Sequence, residues 1–387
     1  MSELQSEESR PASGQVESIS PGGTTAAADS PTVQAGGRSL LPRSTLLRHG
    51  LLLLVGIVVA VLLLEATDEF GNSQLTSLAY YAMAAGGLTV LTGLNGQISL
   101  GHGALMAVGA YTTALFLQAE NPIPLPVIFI VAVAVTVVVG GIVGVAAARL
   151  HGPYLAGATL ALAVGLPELG LYFKDKLGGS QGLGVPLPEA PVWFGHVIGY
   201  LSGAFVTPTK WLAYIAAACL LIVFFLLANL GRSRIGRTWR AVRDQEVAAE
   251  LAGINLGVWR VMAFVVSAAC AGLAGGVMVL AVHAASPGAF PLVLSLSLLT
   301  AIVIGGLGSL IGALLGSALL VYLPPFVTDF ATSRGLDGSQ AAQVSPLVYG
   351  VVLVLVMLLA PAGVMGSLRL LWLRMSSRRG AVRASGR

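Results

Sequence analysis

Repeated apolar runs of span length constrain this chain more than anything else in it. A bilayer's hydrocarbon core is about 30 Å thick, so a helix needs about 20 apolar residues to cross it. Such runs recur between residues 50 and 364. Overall 56% of the 387 residues are hydrophobic and 10% are charged, with a mean hydropathy of +0.85. A soluble core cannot use that much apolar surface. The runs are continuous rather than alternating, which argues against a membrane β-barrel. The fold class that follows is an all-α polytopic membrane protein with about ten transmembrane helices.

The predicted spans are about 50–64, 74–93, 98–117, 125–148, 153–173, 211–230, 260–283, 291–304, 309–326 and 345–364. A Gly- and Pro-rich loop from Lys174 to Lys210 separates the fifth from the sixth, with a short amphipathic helix expected near His196 to Phe205. The first span and the 291–326 pair are the weakest as full crossings, and a re-entrant path stays open for each. Residues 1–40 read as a disordered tail, because Ser, Gly, Pro, Ala and Glu dominate and large apolar residues are few. About 50 residues precede the first run, which does not fit an ordinary cleaved signal peptide. The membrane domain is expected over 41–366 and a basic tail over 367–387.

An even number of spans puts both termini on one side. Seventeen of the 21 Lys and Arg then fall on that side, and only Lys174, Lys176, Lys210 and Arg334 on the other. By the positive-inside rule the tails are cytoplasmic. The net charge of +4 is thus explained by topology, and nucleic acid is not an expected partner. Glycines four apart, at 140 and 144, at 272 and 276, and at 308, 312 and 316, are expected to let helices approach closely. Cys219 and Cys270 both sit in apolar runs and read as core thiols rather than a disulfide.

Several chemistries lack their residues. No Gly-Lys-Ser/Thr phosphate loop is present, and Gly306-x-Gly308 does not follow a strand of a βαβ unit. No His/Cys cluster has metal-ligand spacing. No span carries the paired carboxylates of a proton-coupled pump. Glu168, after Pro167 and about one turn from the end of its span, reads as interfacial or cavity-lining. No enzymatic activity is expected of this chain.

Two stretches carry what function the residues suggest. Residues 231–253 form the one long, strongly charged, helix-compatible segment, set between two apolar runs. A helix of about 234–253 is expected, with Trp239, Val242, Ala249 and Gly253 on one face and an i,i+4 pair from Arg240 to Asp244. It reads either as a basic loop that only sets topology or as a docking helix for a soluble partner. The second stretch, Asn95 to Gly103, places polar side chains and glycines at a point of membrane entry. A broken helix there could bind a carboxylate at its N-terminus, with Asn95, Gln97, Ser99 and His102 along the path. The alternative is a tight turn with packing glycines and a structural histidine.

Gly93 to Ala104 (GLNGQISLGHGA) followed by Gly109-Ala110-Tyr111-Thr112 resembles the signature of LivM-type permeases of bacterial branched-chain amino-acid ABC importers. His151 to Leu155, Gly179 to Leu183, Gly236 to Asn255 and Gly305 to Gly312 resemble further stretches of that family, in order. The resemblance spans about residues 75–366 and implies a fold nearer the vitamin-importer type than the six-span type. It implies that 234–253 is the ATPase-coupling helix, acting through Arg237, Arg240, Arg243, Glu246, Ala248, Ala249, Glu250 and Gly253. Val247 stands where the family's "EAA…G" pattern has Glu, with Glu246 and Glu250 beside it. The outer loop with Ser180 and Gln181 is where substrate would be delivered.

The implied partners are a second, LivH-type permease, two cytoplasmic ATPases and an extracytoplasmic binding protein. No cofactor is expected on this chain, with ATP and Mg2+ used by the partner subunits. The implied substrates are hydrophobic, branched-chain amino acids, and the implied location is the bacterial inner membrane. The alternatives are an importer of urea or short-chain amides and a self-contained secondary transporter or channel. A structural or regulatory subunit with no pore of its own is a third.

Overall fold

In a computed structural model the described residues are 45–367, apart from 120–122, 151–152, 188, 193, 197, 199–206 and 360–362. The expected 1–40 tail, the basic tail beyond 367 and most of the helix near 196–205 lie outside them. The helices are α1 (Thr45–Ala66), α2 (Glu69–Leu88), α3 (His102–Leu117), α4 (Leu125–Ala148) and α5 (Pro153–Tyr172). A single turn, α6 (Lys174–Leu177), precedes α7 (Pro208–Arg232), α8 (Arg234–Asp244), α9 (Glu246–Leu251) and α10 (Leu256–Val282). The last three are α11 (Leu292–Gly305), α12 (Leu310–Ser333) and α13 (Gly338–Leu359). Among the described residues nine helical stretches are long and apolar enough to cross a membrane, and α3 is a shorter apolar helix. These ten match the ten expected runs, so the chain is an all-α polytopic membrane protein.

Polar residues between the runs set the helix starts. Asp68 accepts from Gly71 N at 2.9 Å, Asn255 from Val258 N at 3.2 Å and Ser309 from Gly312 N at 3.1 Å. Each satisfies an amide that the first turn leaves without an intrahelical partner. Two of these starts fall a few residues before the apolar runs: α2 begins at Glu69 rather than near 74, and α10 at Leu256 rather than near 260. The α12 helix continues to Ser333 through Pro324 and Pro325 instead of ending near 326.

The core is centred on α10, which packs against α2, α3 and α4. Glycines make these contacts. A Cβ on Gly109 would lie 2.1 Å from Gly272 O, one on Gly275 1.9 Å from Met106 O, and one on Gly140 2.2 Å from Ala268 Cβ. In the same way Gly312 meets Gly305 and Gly316 meets Ala301, joining α12 to α11. The small-residue stripes of the sequence are thus packing faces. Neither cysteine forms a disulfide.

Helix α1 packs mainly on α7, and polar groups clip it near both ends. His49 Nδ1 is 2.7 Å from Asn229 Oδ1. At the other end Glu65 takes Lys210 Nζ at 2.6 Å and the Tyr214 hydroxyl at 2.5 Å. At that same end of the bundle, β1 (Leu183–Gly184) pairs antiparallel with β2 (Ala284–Ala285), tying the loop after α5 to the end of α10.

Candidate functional site

The charged segment does not form one helix. Gln245, at φ −153° and ψ 89°, divides it into α8 and α9. The ion pair of Glu246 with Arg260, at 2.6 Å, fixes the new direction. Ser233 caps α8 by accepting from Ile235 N at 3.1 Å. Trp239 is fully buried and its Nε1 donates to Trp259 O at 3.0 Å. Val242 and Ala249 are buried as well, but Gly253, expected on the same face, is exposed, with nothing within 4 Å of a would-be Cβ. Its role is the helix end. At φ +84° it sets up Ile254 N to Ala249 O and Gly253 N to Glu250 O, the two bonds of a Schellman turn.

The expected Arg240–Asp244 pair is absent. Arg240 Nη1 donates instead to Gly231 O at 3.0 Å, at the end of α7. Carbonyls of a last helical turn lack intrahelical donors and carry the negative end of the dipole, so they compete with a surface carboxylate. Asp244 pairs with Arg243 at 2.8 Å. Arg243 also donates to Gly93 O. Gly93 is the fifth residue of a π turn, Thr89–Leu94, that ends α2. Its backbone is held from the other side by Gly308, whose N would lie 2.4 Å from a Gly93 Cβ. Gly96, at φ +84°, leaves room for Arg243, whose Cγ would be 2.8 Å from a Cβ there. Arg243 therefore faces its own membrane domain. Arg237, Ala248 and Glu250 are exposed, and beside them Val247 and Leu251 are 70% and 85% exposed.

The break that Arg243 abuts is real, and it is longer than expected. Residues 95–101 are non-helical, and α3 starts at His102 rather than near 98. Gly96, Gly101 and Gly103 disfavour an earlier start. His102 lies beside Ser267, with Nδ1 3.5 Å from its Oγ. Ser267 is the twelfth residue of α10, about 17 Å from that helix's start at 1.5 Å per residue. So α3 begins near mid-span. Leu100 N donates to Thr159 Oγ1 at 3.0 Å, and Gly103 N to Ser295 Oγ at 2.9 Å. These partners satisfy backbone groups that lipid cannot.

Asn95, Gln97, Ser99 and His102 are brought together along this break and are at most 6% exposed. Gln97 Nε2 donates to Asn95 Oδ1 at 2.6 Å. Asn95 Nδ2 and Gln97 Oε1 are buried with no hydrogen-bond partner, whereas the His102 ring meets the Ala84 backbone as well as Ser267. Buried polar atoms of this kind are costly to leave unpaired. Ser180 and Gln181 do not join them. They are exposed beyond the far end of α5, 13 residues past Thr159, or about 20 Å along the helix before the loop begins. Glu168 is exposed about one turn before the end of α5.

Sequence reasoning missed Thr159, Ser267, Ser295, Trp259 and Arg260. The signal available was their position, as lone polar residues inside or at the start of apolar runs.

A family model for the permease component of the branched-chain amino acid transport system matches residues 72–360. The chain belongs to that permease family. It is 29% identical over 331 residues to the high-affinity branched-chain amino acid transport system permease protein LivM of Escherichia coli K12, covering 80% of this chain and 74% of that protein. BraD of Pseudomonas aeruginosa, a permease of the same description, is 27% identical over 303 residues, covering 76% and 93%. LivH of Escherichia coli K12 is 24% identical over 293 residues, covering 74% and 91%. This permease is therefore similar to two permeases named for that system in one organism, more so to LivM. No solved structure matches it.

Proposed function

We propose that this chain is one permease subunit of an ATP-driven ABC importer of branched-chain amino acids. It forms the translocation path with a second, LivH-type permease. The observation that carries the reading is the α8–α9 segment, bonded inward to α2, α7 and α10 while Val247 and Leu251 stand outward. An exposed apolar pair on a short, well-anchored helix suits insertion into a cleft of a soluble ATPase. Two such ATPases would bind and hydrolyse ATP with Mg2+, with no cofactor held by this chain.

Closure of the ATPase pair would displace α9. Glu246–Arg260 and Trp239–Trp259 O carry the displacement to α10, and Arg243–Gly93 O carries it to the end of α2 and the break. The break is where the fold can yield, because its side chains include two orphaned polar atoms, Asn95 Nδ2 and Gln97 Oε1, rather than a satisfied network. Moved to the subunit boundary, the start of α3 offers a carboxylate its positive dipole end, with Asn95, Gln97, Ser99 and His102 close by. A binding protein on the opposite side would deliver substrate near Ser180 and Gln181. Both termini are assigned to the cytoplasm on the 17 of 21 basic residues that share that side.

The test is uptake of labelled leucine by cells with and without the gene, competed separately by isoleucine, valine and urea. Loss of leucine uptake on deletion, with competition by isoleucine and valine, is expected. Unchanged leucine uptake alongside a fall in urea uptake would refute the substrate assignment.

A further inference from the structure

A cleft opens between α1, α7, the π turn after α2 and the start of α12, at the end of the bundle that carries α8. Its lower walls are apolar, with Leu52, Leu221, Phe224 and Phe225. Its mouth is basic. Arg232 and Arg240 both line it, beside His49, and no acidic side chain is among its described lining residues. The first residues of α12, Ser309 to Ile311, also line it, so a 24-residue helix brings its positive end to the same place.

A second, independent feature points to a ligand. Thr89 is 1% exposed, lines the cleft, and its hydroxyl has no hydrogen-bond partner. Other buried or nearly buried threonines of the spans, Thr76, Thr112, Thr113, Thr136 and Thr159, each donate to the carbonyl four residues back. Thr89 opens the π turn and does not do so.

We propose that this cleft binds a phospholipid with an anionic headgroup, its phosphate at Arg232, Arg240 and the start of α12, and its acyl chains against α1 and α7. The match lies in the pairing of basic side chains and a helix start with an apolar lining from α1 and α7. Basic pockets between helices on the cytoplasmic side are suited to such headgroups. Placement in the cytoplasmic leaflet rests on the orientation proposed above, whereas the binding itself does not. Arg240 belongs to α8, so an occupied cleft would bear on the segment proposed to couple to the ATPase.

The experiment compares retention of phosphatidylglycerol and phosphatidylcholine with identical acyl chains by the purified full chain, using native mass spectrometry. Selective retention of phosphatidylglycerol is expected. Affinity should fall about fivefold for each arginine replaced in R232Q and R232Q/R240Q. Because Arg240 also holds the end of α7, R232Q alone and Thr89→Val are read beside the double variant, with thermal unfolding in phosphatidylcholine as the control for folding. Thr89→Val should weaken phosphatidylglycerol retention and leave phosphatidylcholine retention unchanged. Equal retention of both lipids, or undiminished selectivity in R232Q/R240Q, would overturn the proposal. So would displacement by glycerol phosphate as effective as displacement by phosphatidylglycerol, which would mark a site for a soluble anion. The assay reads lipid and not transport, so its failure leaves the permease assignment standing.

Discussion

Replacing Lys210 with Met should loosen α1 from the bundle. The Lys210–Glu65 contact is 2.6 Å, with side chains 10% and 20% exposed. Breaking a fully buried pair costs about 3–5 kcal/mol, mostly from stranding the remaining charge. Here Glu65 keeps the Tyr214 hydroxyl at 2.5 Å and is partly open, so about 2 kcal/mol is expected. Removing both charges, as in E65L/K210M, strands no ion and should cost about 1 kcal/mol or less. The non-additivity of the cycle is the diagnostic quantity. The assay is thermal unfolding of the purified chain in a neutral detergent, with a drop of a few degrees expected for K210M and most of it recovered in the double variant. Wild-type stability in K210M, or a double variant as unstable as the two single changes summed, would refute the reasoning.

Other outcomes follow from the α8–α9 segment and the core. Gly253→Val should place normally in the membrane yet impair transport, because a β-branched residue at φ +84° costs about 1–2 kcal/mol and unwinds the end of α9; uptake equal to wild type would contradict this. Trp239→Phe loses the bond to Trp259 O and should lower stability by about 1 kcal/mol, read by the same unfolding assay. Gly109→Ala drives a Cβ to 2.1 Å from Gly272 O, where only backbone can yield, so membrane levels of the protein should fall on quantitative blotting.

The membrane class and all ten helices were legible in the sequence because apolar runs of span length admit few other folds. The existence of the break was legible too, from the glycines between Asn95 and Gly103. Its depth was not, because Thr159, Ser267 and Ser295, which receive it, are distant in sequence. The partners of the arginines were misread for one reason. An i,i+4 rule weighs only a helix's own surface, whereas Arg240 and Arg243 reach carbonyls at the ends of two other helical segments, Gly231 and Gly93. Reversing either charge therefore severs an internal link before it touches a partner's surface.

The most direct test of the account is ATP-driven leucine uptake in proteoliposomes holding the complete assembly, with wild-type chain and with Arg243→Ala. ATP hydrolysis should continue while leucine moved per ATP falls about tenfold, since the bond joining α8 to Gly93 and the break is gone. Arg243→Lys, which keeps a donor, should recover part of the loss. Unchanged uptake per ATP in Arg243→Ala would contradict the claim that this contact carries the ATPase motion into the membrane domain.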